Sequence, residues 1–174
     1  MTAVTAETAE ATTQPLTTHF LHHFDLAYGM VLELAEDFDN ETARLAPAPH
    51  KPLVWFLGHL ICATDYFSTL HQGTESLVTE EFSRHYAGND NNDWTWGPTL
   101  EEMIELYQQV HARMRVFVAG LRPEDLDSES PLEPFGDDRL KNLGKALSII
   151  QMHDAYHCGQ IGCLRFALGK SVPF

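Results

Sequence analysis

Near the C-terminus of this chain runs an apolar stripe that two histidines interrupt. Ala146, Ile149, Ile150, His153, His157, Ile161, Leu164 and Leu168 recur at steps of one, three and four. That spacing puts them on one face of a helix, and the face must be buried. His153 and His157 are four residues apart, so their rings stack one turn apart. A buried imidazole carries polar nitrogens that cost free energy unless they are paired. A single core histidine is readily explained by a hydrogen bond. Two at this spacing can instead grip one metal ion.

Three more segments carry helical periodicity to cover such a face. In residues 17–40, Phe20, Phe24, Ala27, Val31, Leu34 and Phe38 form one stripe. A second helix is expected from Pro52, a residue suited to a first helical position, to about His71, with Gly73 as its stop. A third follows Pro98, with Thr99 as N-cap and Glu102 completing a capping box, and ends near Gly120. The histidine-bearing helix is the fourth, over residues 142–168, with Gly169 as its stop. The connections are long. Residues 72–98 include a short helical stretch over 79–86 and a turn-rich run over 88–93. Residues 121–141 carry Pro123, Pro131, Pro134 and Gly136. No strand pattern stands out. The expected fold is all-α, a four-helix bundle with long crossover loops, in a single domain over 16–174. The Thr- and Ala-rich stretch 1–15 is expected to be a disordered lead-in.

The second helix has two stripes. Leu53, Leu57, Leu60, Ile61 and Thr64 form an aliphatic seam, and Trp55, His59, Cys62 and Tyr66 lie nearly opposite. A bundle helix touches two neighbours, so the second stripe can also point inward, where His59 can meet His153 and His157. Three histidines form a recognisable set for a catalytic metal, with the fourth position left for water or substrate. Imidazole suits zinc, nickel, iron and copper. The expectation is one divalent ion, zinc or nickel first.

Composition narrows the function. Acidic residues outnumber basic ones 25 to 11, for a formal charge of −14. A phosphate backbone is repelled by such a chain, so nucleic acid is not an expected partner. No uninterrupted apolar run nears the roughly 20 residues of a membrane span, and the N-terminus has no signal-peptide pattern. A cytoplasmic location and no membrane partner are expected. The three cysteines, Cys62, Cys158 and Cys163, form no CxxC pair and no disulfide framework.

Two segments stand out: Trp55-Phe56-Leu57-Gly58-His59-Leu60, and His153-Asp154-Ala155-Tyr156-His157-Cys158-Gly159-Gln160-Ile161 followed by Leu164-Arg165 and Gly169. Together they resemble the DinB-like superfamily of bacterial four-helix bundles. The second is similar to the family's HxxYHxGQI signature, and the Leu-Arg-Pro-Glu-Asp-Leu run after the third helix is also typical. The resemblance spans about residues 17–169. It implies an up-down-down-up bundle, His59, His153 and His157 as the metal triad, and a homodimer. It further implies a transferase that activates a low-molecular-weight thiol at the metal for conjugation to a small electrophile. The alternatives are a metal-dependent hydrolase using an activated hydroxide, or a metal-binding stress-response protein without turnover.

Other residues are candidates for the site. Asp154 gives HDxxH, superficially like the HExxH of zinc peptidases. Its side chain is one methylene shorter, and only 17 residues follow His157. Orienting a histidine ring, or facing solvent, is the expected role. Gln160 can hydrogen-bond a ligand or satisfy a buried partner. His111 lies with Met103, Tyr107, Met114 and Val118 on the inward face of the third helix, as a fourth ligand, a proton shuttle or a core residue. Tyr156 is expected to pack, and Cys62 and Cys158 to be inert. His19, His22 and His23 fall at a wet helix terminus. Trp94 and Trp96 either wall a substrate pocket or cap the bundle.

Overall fold

A computed structural model describes residues 7–88, 93–132 and 138–173, with side chains from residue 17 onward. Five α-helices make up most of the described residues: α1 (Glu7–Ala35), α2 (Leu53–Gln72), α3 (Glu80–Tyr86), α4 (Leu100–Ala119) and α5 (Leu143–Ala167). The described residues contain no strand beyond an isolated bridge between Glu129 and Asn142.

The four long helices form the bundle, and their cross-helix contacts fix their directions. Gln151 reaches Phe20, Cys158 reaches Ala27 and Arg165 reaches Leu34, always at a separation of 131 residues, so α1 and α5 run parallel. Arg113 binds Asp65 and Ser68, and one turn further along both helices His71 packs on Phe117, so α2 and α4 are also parallel. His111 pairs with Asp25 while Tyr107 stacks near Tyr28, which makes α1 and α4 antiparallel. His153 meets His59 and His157 meets Trp55, which makes α2 and α5 antiparallel. The order is therefore up-down-down-up. Each of α1 and α2 packs on both α4 and α5.

Local chemistry sets the helix ends. The Thr99 side chain accepts from Glu102 N, and the Glu102 carboxylate accepts from Thr99 N, closing the expected capping box. Asn142 caps α5 by accepting from Lys145 N, and Thr79 caps α3 by accepting from Phe82 N. Gly73 takes the left-handed conformation (φ 64°) that ends α2. The first helix differs from expectation at both ends. Its backbone reaches back to Glu7 instead of starting near residue 17. It stops at Ala35, not 40. There the Asp39 carboxylate takes hydrogen bonds from the backbone of Glu41 and Thr42 and from the Thr42 hydroxyl, a turn that leads into a 3-10 segment at Thr42–Arg44. Phe38 is buried all the same. Residues 1–6, 89–92 and 133–137, parts of the expected lead-in, of the turn-rich run and of the proline-rich loop, lie outside the described residues.

Two buried clusters fill the bundle. The larger is built on α2, with Leu53, Val54, Phe56, Leu57, Leu60 and Ile61 against Val31, Leu34, Met103, Ile161 and Leu164. The smaller joins Phe24, Phe67, Met114, Val118 and Leu147. By length and a mean hydropathy of 1.2, α2 is apolar enough to cross a membrane, but 72% of that window is buried inside the fold. Burial among the other helices accounts for its composition. Close by, Arg165 is buried on α5. It pairs with Asp37 at 2.5 Å and donates to the carbonyls of Leu34 and Ser171.

Candidate metal centre

The antiparallel pairing of α2 and α5 brings His59 from one helix against His153 and His157 from the other. His153 Nε2 lies 3.0 Å from His59 Nε2 and 3.1 Å from His157 Nε2. The three donor atoms all fall within 4.8 Å of one another. Two nitrogens on a tetrahedral zinc ion sit about 3.3 Å apart, given a Zn–N bond of about 2.05 Å. The two distances to His153 are therefore close to those between ligands of one ion.

The other ring nitrogens say which protonation state each histidine takes. His59 Nδ1 is 3.0 Å from the Tyr86 carbonyl, which can only accept, so this Nδ1 is the donor and the Nε2 of the neutral ring carries a lone pair. His157 Nδ1 is held the same way by Gln160 Oε1 at 2.7 Å. Two lone pairs thus converge on His153 Nε2, which has at most one proton to offer them. The protein alone cannot satisfy all three nitrogens, and a cation among them does so. This donor set fits a divalent metal ion. Burial disfavours the charged form of His157, and the neighbouring His153 and His59 add to this, lowering its pKa to about 4. Burial also lowers the His59 pKa. Both rings are thereby kept in the neutral form that binds metal.

Packing fixes the rings further. Trp55 stacks on His59 with centroids 4.8 Å apart, and its indole N–H donates to the Gly88 carbonyl. Gly58 lets α3 come close: a Cβ at this position would stand 2.8 Å from Tyr86 Cβ and closer still to Cγ and Cδ1 of the ring. That approach brings the Tyr86 carbonyl to His59. The triad opens onto a cleft of about 590 Å³, also walled by His50, Lys51, Trp55, Tyr156, Gln160 and Cys163. No carboxylate is among the described residues that line it.

The remaining expected residues divide. Gln160 belongs to the centre, through His157 and through its amide, which donates to the Tyr156 hydroxyl. Asp154 is not at the surface: it is 5% exposed, and burial raises its pKa. Tyr156 does not pack in the core, being 63% exposed at the cleft wall. His111 does not line the cleft. It stacks on Tyr28 and lies 3.0 Å from Asp25, between α1 and α4. Cys62 and Cys158 are buried thiols with pKa values pushed up to about 12 by burial, as inert packing requires. His19, His22 and His23 are exposed, but they lie within α1 rather than at its terminus, and the His23 ring meets those of His19 and His22 edge-on. Trp94 and Trp96 hold the 72–98 connection: Arg44 donates to both of their carbonyls, and Trp96 stacks on His85. Sequence reasoning missed the cleft residues His50, Lys51 and Cys163. Nothing in their spacing marks them, since they meet the site only through the fold.

Fold and site together define a helical-bundle class of protein with a three-histidine group between its second and last long helices. The chain belongs to the DinB superfamily, whose family pattern matches residues 23–161. Its fold is similar to that of a conserved Enterococcus faecalis protein of solved structure, at 17% identity and a TM-score of 0.68, covering 88% of this chain and 98% of the other. It is also similar to YfiT from Bacillus subtilis, at 14% identity and a TM-score of 0.62, covering 98% of this chain and 93% of the other. YfiT is described as a probable metal-dependent hydrolase with an unusual four-helix bundle topology. At these identities the likeness is one of fold. No curated protein shows a significant match to the chain.

Proposed function

We propose that the protein is a metal-dependent enzyme that holds one divalent ion, zinc or nickel first, on His59, His153 and His157, and transfers a low-molecular-weight thiol to a small electrophile. One observation carries the metal assignment: three Nε2 atoms converge, two of them with lone pairs fixed by hydrogen bonds on the far side of the ring. A divalent ion on three histidines keeps a position open and lowers the pKa of a thiol or water placed there.

The protein's own residues would then hold and orient. Tyr86 O and Gln160 Oε1 fix two rings, and Trp55 fixes the plane of one. The cleft is of a size that accepts a small thiol and a second small molecule. In the transfer, the thiol proton leaves to solvent, a sulfur lone pair forms the S–C bond, and the leaving group departs with its electron pair. This needs no general base once the thiol is ionised, in keeping with a described cleft lining that has no carboxylate. The second reading is hydrolysis by an activated water, and the likeness to YfiT favours it.

Elemental analysis of the purified protein beside His59→Ala and His153→Ala tests the metal. About one ion per chain, lost in both variants, is expected for a three-ligand site. Unchanged metal content in both variants would sink the proposal. A panel of electrophiles, run with and without added small thiols, separates the two chemistries. Turnover that needs thiol supports transfer, and turnover in water alone supports hydrolysis.

A further inference from the structure

Two of the three histidines have a partner for Nδ1, and the third does not. His153 Nδ1 is buried with no hydrogen bond, and Asp154 Oδ1 is buried with none either. The two orphan atoms face each other at 3.7 Å, less than 1 Å beyond hydrogen-bond length. A buried polar atom left unpaired costs free energy, and a pair of them side by side calls for an explanation. Nor is the position incidental. On α5 the residues Leu143, Leu147, Ile150, Asp154, Cys158, Ile161 and Arg165 are all buried at steps of three and four, and Asp154 lies in the middle of that face. A leucine there would bury more apolar area and remove the orphan oxygen.

We infer that Asp154 is a positioning residue whose carboxylate serves as acceptor for the Nδ1–H of His153, turning Nε2 of that ring toward the metal. The inference rests on the three-histidine site proposed above. It completes a pattern already present in the structure: a backbone carbonyl holds His59, a side-chain amide holds His157, and a carboxylate stands at His153. Metal-binding histidines commonly pass their second N–H to such an acceptor, which sets the tautomer and makes the ligating nitrogen more basic. His153 is the ring whose Nε2 lies close to both of the others, so fixing its orientation matters most. The orphan carboxylate is then a stability cost retained for binding, the kind of local conflict expected at functional sites.

Zinc affinity, measured by competition with a chromogenic chelator, tests this on the full chain, alongside the Tm of the metal-free protein. Asp154→Leu should bind zinc about 10- to 100-fold more weakly, the range for loss of such an acceptor. Asp154→Asn, which keeps an oxygen but not the charge, should fall between it and the parent. The Tm of metal-free Asp154→Leu should equal or exceed that of the parent, because a buried oxygen without a hydrogen bond has gone. A purely structural Asp154 would instead lower that Tm, and a lowered metal-free Tm with parental zinc affinity overturns the inference. If the leucine variant does not fold, the isosteric asparagine variant decides, and parental affinity there overturns the inference too. His153→Ala is the control for the site itself. Loss of zinc in that variant beside unchanged Asp154 variants would overturn only the role of Asp154. Parental zinc binding by His153→Ala would overturn the site as well.

Discussion

Gly58→Ala should damage the metal centre without touching a ligand. Gly58 lies on α2 beside His59, and Tyr86 of α3 lies directly over it. An added Cβ would stand 2.8 Å from Tyr86 Cβ and nearer to two ring atoms, whereas ordinary contacts begin at 3.4 Å. The ring cannot swing clear. Tyr86 is 2% exposed, and its hydroxyl lies against Gly97 at the far end, donating to the Trp96 carbonyl. The short helix α3 must therefore move by on the order of 1 Å, an overpacking that costs about 1–3 kcal/mol. Alanine returns up to about 1 kcal/mol of helix propensity, so the net loss is up to about 2 kcal/mol.

For a chain of this length that loss lowers Tm by up to about 8 °C. Tyr86 also carries the carbonyl that accepts from His59 Nδ1, so its displacement loosens one ligand and weakens metal binding by about tenfold. Thermal unfolding followed by circular dichroism reads the first effect, and chelator competition reads the second. Gly159→Ala is the matched control, also within a helix but with nothing within 4 Å of its added Cβ. It should be neutral or gain up to about 1 kcal/mol. Parental Tm and parental zinc affinity in Gly58→Ala would refute the idea that this close approach sets the His59 orientation.

Two further outcomes are expected. Arg165→Met removes a buried guanidinium that serves Asp37 and the Leu34 and Ser171 carbonyls, leaving a buried acceptor unpaired at a cost of about 2–3 kcal/mol. Thermal denaturation should show Tm lower by about 4–12 °C, and an unchanged Tm would mean that water replaces those bonds freely. The metal-free protein should also weaken in mild acid. His59, His71, His111 and His157 all have pKa values lowered from 6.5, chiefly by burial, with His157 at about 4. Between those values the unfolded chain binds more protons than the folded one, so stability is lost as pH falls from about 6.5 toward 4. Asp154, whose pKa is raised by burial, opposes this in part. Melting curves of chelator-treated protein at a series of pH values check the sign, and a Tm that rises on acidification across that window would contradict it.

Much of the fold was legible because each long helix carries an apolar stripe and its own punctuation. Thr99 with Glu102, Asn142 and Gly73 mark ends that the backbone respects. Legibility failed where an end depends on a side-chain turn, as at Asp39, or where a helix extends beyond its apolar stripe, as from Glu7. The histidine triad could be assembled because all three rings sit on stripes, and His59 was ambiguous only because α2 has two of them. The cause is architectural: α2 packs on both α4 and α5, so most of its circumference is buried.

The same architecture explains what was misread on α5. A single stripe through Ile149, His153 and His157 assumes one neighbour, but α5 packs on both α1 and α2. Its buried arc is centred nearer Leu147, Asp154 and Ile161, with His153 at the edge that opens to the cleft. That shift moves Asp154 from a flanking position into the core and Tyr156 out to the cleft wall. A charged residue at the centre of a buried arc is the signal that was available, since carboxylates and guanidinium groups are almost never fully buried without a partner. Arg165 satisfies that rule with Asp37 and two carbonyls. At Asp154 the buried Oδ1 has no hydrogen bond and stands 3.7 Å from the unpaired Nδ1 of His153. Among the described residues of this buried face, the side-chain oxygen left without a hydrogen bond thus lies where the face meets the proposed metal ligands.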